Sequence, residues 1–308
     1  MAAASSTPLE NSASCRVERR ADGRADRLDR NGGASHIDLE RESASPWLIR
    51  YGAGNGTPAR LRLFCFHYAG ATASMFRTWQ ARLPAAVELV AVQLPGREYR
   101  LDEPLLTDVG QIVAGLIEVV PPLLDRPFVF FGHSMGALVG FDLIRMLRVR
   151  GLRQPELFVV AARNAPQFRW RDAGAEKLPD DQFIAAVSDY NGMPDELLHD
   201  ESLRDLWLPR LRADLTVSAT YPYVAQPPLD CPILVMFGEK DGLVSDTGLR
   251  GWVEQTNARV RFSRYTGNHF FLYTAEQLVL EELREELEDR LSPARTSKIS
   301  HSEGDRTC

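Results

Sequence analysis

Seven apolar runs of strand length punctuate the chain: Trp47–Tyr51, Arg60–Phe66, Val87–Gln93, Pro127–Phe131, Glu156–Ala162, Cys231–Phe237 and Arg259–Tyr265. Several are apolar without alternation, as in Val90-Ala91-Val92 and Leu234-Val235-Met236-Phe237. A strand with one wet face alternates; an unbroken apolar run belongs to a strand covered on both faces, as in a largely parallel sheet. Helical patterns fill most of the intervals, over Met75–Leu83, Val109–Leu124, Ala137–Arg148 and Thr247–Val253. The last, Thr274–Leu291, carries an apolar stripe of Leu280, Leu283, Leu287 and Leu291, with Thr274 and Gln277 spaced for a capping box and Pro293 beyond its end. Strands alternating with helices predict an α/β fold, a mostly parallel central sheet flanked by helices.

The alternation breaks over residues 163–230, where Asp181–Tyr190 and Ser202–Thr220 are the clearest helical pieces and no run reads as a strand. A helical insertion placed this late predicts a lid over the strand C-terminal ends, where open α/β sheets keep their sites. The alternative is extra helices packed on the sheet face. Residues 1–45 mix Ala, Ser, Arg, Asp and Gly with few large apolar groups, too few to offset the entropy of ordering, so a disordered leader is expected. Residues 292–308 read as a second loose tail, leaving 46–291 as the α/β domain.

Composition narrows the function classes. With 44% hydrophobic and 25% charged residues in 308, a sizeable core is expected. A net charge of −6 gives no support for nucleic-acid binding. No apolar run approaches the roughly 18 residues of a membrane span, and the first residues lack the charged and apolar regions of a signal peptide. Cys15, Cys65, Cys231 and Cys308 are scattered without C-x-x-C spacing, which argues against a disulfide framework or a cysteine zinc site and fits a reducing, cytoplasmic setting. Neither a Walker motif nor H-E-x-x-H occurs. Gly52–Gly56 is followed by a strand-like run and reads as a hairpin loop, not a dinucleotide fingerprint. No cofactor and no metal are expected.

The chemistry centres on Gly132-His133-Ser134-Met135-Gly136, between the apolar run Pro127–Phe131 and the helical run Ala137–Arg148. Strand, G-x-S-x-G, helix is the layout of a nucleophile elbow; the same pentapeptide also occurs as a plain structural turn. Side chains in place of the outer glycines would collide with the neighbouring strand or helix. A serine hydroxyl needs a base to take its proton, usually a histidine held by a buried carboxylate, and in hydrolases of this layout the order is Ser, Asp or Glu, His. After Ser134 come His199 inside the insertion, His269 and His301 in the tail. His269 follows a strand-like run and is the expected base. Asp241 lies where the chain leaves the preceding strand; Asp246 reads as a helix N-cap, and Glu239 is expected to face water. An oxyanion hole is expected from the backbone N–H groups of Met135 and Ala69, with Tyr68 as second choice. His67 is expected to fix its loop, and His133 to pack or bond locally.

These residues match a known family. Leu63-Phe64-Cys65-Phe66-His67-Tyr68-Ala69-Gly70, Val92-Gln93-Leu94-Pro95-Gly96-Arg97-Glu98, Phe130–Ala137, Leu211-Arg212-Ala213-Asp214, Cys231-Pro232-Ile233 and Gly267-Asn268-His269-Phe270-Phe271-Leu272 resemble the free-standing type II thioesterases that accompany polyketide and nonribosomal peptide synthases. The resemblance covers roughly residues 46–291. It implies an α/β-hydrolase fold with a mobile helical lid, the triad Ser134, Asp241 and His269, and hydrolysis of acyl groups from the phosphopantetheine arm of carrier proteins. The implied role is housekeeping, in trans on a synthase, by an expected monomer. The alternatives are a medium-chain fatty-acyl thioesterase, a general serine esterase or lipase, an acyltransferase, and a binding module on a hydrolase fold. Ala71 departs from the family, which usually has a second glycine there. Arg97 and Glu98 are open to an ion pair fixing their loop or to a substrate contact. Arg97, Arg100, Arg210 and Arg212 are candidates for a basic rim facing an acidic carrier.

Overall fold

The computed structural model describes residues 45–52, 57–188, 190 and 201–292. All but the last residue of the expected leader (1–45), all but the first of the expected tail (292–308), and His199 and His301 lie outside the described residues. Every apolar run becomes a strand within two residues of its expected bounds: β1 (Leu48–Tyr51), β2 (Leu61–Phe66), β3 (Val87–Val92), β4 (Phe128–His133), β5 (Leu157–Ala161), β6 (Ile233–Gly238) and β7 (Val260–Tyr265). They form one sheet in the order β1-β3-β2-β4-β5-β6-β7, with β1 antiparallel to β3 and the remaining pairs parallel.

Unbroken apolarity has the predicted cause. Every residue of β2, β3, β4 and β5 is buried, and successive side chains enter different cores. Phe64, Phe66, Phe128, Phe130 and Phe158 pack on one face against α1 (Val109–Val119) and α2 (Met135–Val149). Leu61, Leu63, Cys65, Val129 and Phe131 pack on the other against α7 (Glu276–Leu291), through Val279, Leu280, Leu283 and Leu287. Each such side chain is worth about 1.5–3 kcal/mol on burial, so a polar replacement at any of these apolar positions is destabilising.

Several local expectations are corrected. The Gly52–Gly56 loop (53–56 lie outside the described residues) does not close a hairpin, because β1 pairs with β3 and not with β2. Met75–Leu83 is two 3₁₀ turns, Ala73–Phe76 and Gln80–Arg82. Phe76 and Trp79, three apart, share a face in that geometry and both meet Phe131. The helix expected over Val109–Leu124 ends at Val119, before a 3₁₀ turn over Pro121–Leu123. The Thr274/Gln277 capping box does not form. Phe271–Thr274 is a separate turn (α6), the Thr274 hydroxyl donates to the Thr266 carbonyl, and Gln277 reaches Glu281. Ser245, not Asp246, caps α5 (Asp246–Arg250), its hydroxyl accepting the Gly248 N–H at 3.0 Å.

Residues 163–230 supply α3 (Asp180–Ser188) and α4 (Glu201–Ala219) and no named strand among the described residues. Trp170, Phe183, Val187, Leu208, Leu211 and Leu215 form a third apolar cluster with Leu243, from the loop after β6. This segment therefore packs on a loop at a strand C-terminal end.

Candidate active site

At the end of β4 the chain turns into α2 through Ser134, whose backbone is forced to φ 53° and ψ −112°. The Ser134 N–H donates to the Ala161 carbonyl at 2.8 Å, tying the turn to the end of β5. Both outer glycines are required by space. A Cβ on Gly132 would lie 2.5 Å from the Gly136 carbonyl oxygen, and one on Gly136 only 2.2 Å from that of Phe66. The elbow is thus wedged between its own helix and β2, with a non-glycine residue held at positive φ, a strain that the surroundings must hold in place.

His269 Nδ1 donates to Asp241 Oδ2 at 2.9 Å, and the other carboxylate oxygen accepts the Leu243 N–H at 2.9 Å. That bond assigns the proton to Nδ1 and leaves Nε2 as the basic atom. The two loops meet closely because Gly238 has no side chain: a Cβ there would lie 2.2 Å from the Asn268 carbonyl oxygen. The Lys240 N–H donates to the Gly267 carbonyl at 2.9 Å, locking the same approach. Asp241 and His269 are both buried, whereas Glu239 faces water as expected. Ser134, His269 and Ala69 line one cavity of about 520 Å³, with Trp170, Trp207 and Leu211 among its apolar walls.

His133 does not act locally. Its Nε2–H donates to the carbonyl of His269 at 2.9 Å, across 136 residues of sequence, and so holds the backbone of the imidazole opposite. Burial, reinforced by the neighbouring His269, keeps the His133 ring well below its ordinary pKa and therefore neutral. His67 fixes its loop as expected: Nδ1–H donates to the Tyr68 carbonyl at 2.8 Å, and burial next to Arg97 pulls its pKa down to about 4. In the same loop the Gly70 N–H is committed to Asp214 at 2.7 Å, and the Ala71 N–H turns back to Tyr68 at 3.2 Å. These bonds remove two neighbours of Ala69 from contention as oxyanion donors. Met135 is the first residue of α2, so its N–H has no intrahelical acceptor and lies at the positive end of the helix dipole. Ala71 needs no left-handed backbone, and its carbonyl accepts from Arg97 at 3.0 Å.

The arginine expectations change most. Arg97 pairs with Asp214 of α4 through two bonds of 2.8 Å, not with Glu98, which accepts instead from Ser74 and Gln93. Arg100 is buried over Trp47, binding the Gln93 carbonyl and Glu103. Arg212 holds the carbonyls of Glu176 and Leu178 and lies over Phe183. Arg210 is half-buried, and burial together with nearby Arg97 lowers its pKa. A guanidinium with five donors serves well as a loop clamp, and Arg97, Arg100 and Arg212 are used that way rather than on a rim. Asp214 stood in a recognisable stretch of sequence, but its partners lie 117 and 144 residues away. Among the described residues no cluster of His, Cys, Asp and Glu is placed to hold a metal ion, and no helix is long and apolar enough to cross a membrane.

The thioesterase domain family matches residues 61–291. The gramicidin S biosynthesis protein GrsT of Aneurinibacillus migulanus is 39% identical over 247 residues, which cover 80% of this chain and 96% of GrsT. The medium-chain S-acyl fatty acid synthase thioesterase of Homo sapiens is more distant, 28% identical over 219 residues, covering 70% of this chain and 82% of the relative. The type II thioesterase BorB of the borrelidin biosynthetic cluster superposes with a TM-score of 0.68 at 29% identity, over 79% of this chain and 96% of that one. The sheet order, the flanking helices and these likenesses are those of an α/β-hydrolase, and the chain belongs to the thioesterase family, with the type II thioesterases.

Proposed function

We propose that the chain removes acyl groups from the phosphopantetheine arm of carrier proteins, with Ser134 as nucleophile, His269 as base and Asp241 as the carboxylate that orients it. The observation that carries this is the buried Asp241–His269 bond, opening onto the same cavity as a serine on a strained elbow. Ser134 Oγ attacks the thioester carbonyl while His269 Nε2 takes its proton, and the N–H groups of Met135 and Ala69 receive the oxyanion. Asp241 stabilises the imidazolium. The C–S bond then breaks and the sulfur leaves as a thiol, taking the proton back from His269 Nε2; with a pKa near 8.5 for an ordinary thiol, its departure demands little help. Water activated by His269 adds to the acyl-serine and releases the acid.

The apolar cavity suits the acyl chain, and the segment over 163–230 serves as its lid. An editing role for a nonribosomal peptide or polyketide synthase is favoured by the likeness to GrsT and BorB over the more distant fatty acid synthase relative. The enzyme acts in trans, in the cytoplasm, as a monomer and without a cofactor of its own.

Two measurements test this. On matched acyl groups of graded length, kcat/KM for carrier-bound thioesters exceeds that for oxygen esters by at least about tenfold. Equal values would point to a general esterase, and transfer of the acyl group to another acceptor instead of free acid would point to an acyltransferase. Asp241→Asn lowers kcat by about 10⁴-fold, because an amide favours the wrong imidazole tautomer. A loss below tenfold would move the orienting role elsewhere.

A further inference from the structure

Two peptide planes meet at Ala69, the first pinned by a buried side chain and a backbone donor of the loop itself, the second from outside the loop by α4. The first contains the Tyr68 carbonyl and the Ala69 N–H, which point in opposite directions across a trans peptide. Its carbonyl accepts from His67 Nδ1–H at 2.8 Å and from the Ala71 N–H at 3.2 Å. The second contains the Gly70 N–H, which donates to Asp214 Oδ2 at 2.7 Å. Asp214 is itself gripped by Arg97, whose guanidinium also holds the Ala71 carbonyl at 3.0 Å. Arg97, His67 and Asp214 are all essentially inaccessible to solvent. Gly70 (φ 82°) lies directly beneath α4: a Cβ there would approach Leu211 and Trp207, two walls of the cavity, to 3.2 and 3.3 Å.

We infer that His67, Asp214 and Arg97 form a positioning bracket that aims the Ala69 N–H at the substrate oxyanion and couples that aim to the seating of α4. This rests on the reading of Ala69 as an oxyanion donor. The physical reason for such a bracket is preorganisation: a donor contributes to catalysis only if it is already oriented before charge develops. A loop N–H held only by its own turn would reorient at each encounter. Here the carbonyl across the same peptide is fixed by a neutral imidazole, and the next N–H by a carboxylate that a bidentate arginine prevents from rotating. Because Asp214 shares α4 with Trp207 and Leu211, the same contact that orients the donor also sets the wall of the acyl cavity. None of the three side chains touches the reacting atoms; each acts through backbone.

The test uses the full chain, an acyl-pantetheine thioester as substrate, and a trifluoromethyl ketone of the same acyl length, whose hemiketal oxyanion reads the hole directly. His67→Leu removes the donor to Tyr68, whereas His67→Asn retains it, its amide nitrogen standing where Nδ1 stood. Expected is a fall in kcat of about 10- to 100-fold for His67→Leu and Asp214→Asn, with a matching rise in the inhibition constant of the ketone. For His67→Leu KM stays within about twofold, whereas Asp214→Asn, which also loosens the cavity wall, raises it, and His67→Asn recovers kcat to within about threefold of wild type. A folded His67→Leu with wild-type kcat, or one whose kcat falls while ketone affinity is unchanged, overturns the bracket, and the His67 pair decides the matter even if Asp214→Asn fails to fold. A wild-type enzyme indifferent to the ketone overturns the oxyanion reading and the bracket together; a wild-type enzyme inhibited by it, with unaffected variants, overturns the bracket alone.

Discussion

Ser134→Ala leaves a folded chain whose thioester hydrolysis falls by at least about 10⁴-fold. The hydroxyl makes the only covalent contact in the proposed reaction, and without it His269 has no nucleophile to deprotonate in the first step. What remains is positioning and the oxyanion donors, which alone retain a modest rate over water. Stability shifts little, within about 1 kcal/mol, because the strained turn is held by the Ser134 N–H to Ala161 and by the glycines on either side, none of which the substitution removes. Steady-state kinetics beside a thermal melt separates the two effects. Turnover surviving within tenfold of wild type, in a protein of unchanged melting temperature, would remove Ser134 from the mechanism.

Gly136→Ala is the second large effect, and it strikes through backbone. The added Cβ would lie 2.2 Å from the Phe66 carbonyl oxygen and 2.7 Å from that of His67. Neither can swing aside as a side-chain end would: Phe66 is locked in β2, and His67 opens the loop that carries Ala69. Overpacking of this kind costs about 1–3 kcal/mol. The activity loss should exceed what that destabilisation explains, at about 100-fold or more, since one displacement moves both proposed oxyanion donors, Met135 beside residue 136 and Ala69 beyond residue 67. Gly140→Ala, one helical turn on, is the control. Its Cβ meets side chains alone, the edge of the Phe158 ring at 3.1 Å and that of Phe66 at 3.7 Å, and alanine is the better helix former. Denaturant melts and kcat for the two variants decide the point: equal activity in both would show that the elbow has slack the structure does not suggest.

Much of this was legible beforehand because it is local. An unbroken apolar run such as Leu234–Phe237 declares a strand covered on both faces whatever its neighbours, since burial on two sides needs no knowledge of which helices supply it. The elbow is equally local: serine, its two glycines, the strand before and the helix after occupy adjacent positions. The chain order Ser134, Asp241, His269, each beyond a strand, is topological and survives any detail of packing. Local signals misled where two short-range uses of one side chain competed, as when Thr274 took the Thr266 carbonyl in place of a cap on α7, and where Ser245 preceded Asp246 as a better placed cap.

The sequence by itself therefore determined the strands, the layered fold and the candidates for the reactive residues, because hydrophobic periodicity and turn geometry are properties of neighbours along the chain. Only the tertiary structure decided that β1 joins β3, that His133 holds the backbone of His269, and that Arg97 leaves Glu98 for Asp214 in α4. Those choices are made between groups more than a hundred residues apart, or between strand edges equally apolar. For such groups the partner is selected by which surfaces the finished core brings within about 3 Å, a distance that hydrogen bonding demands and that no one-dimensional pattern encodes.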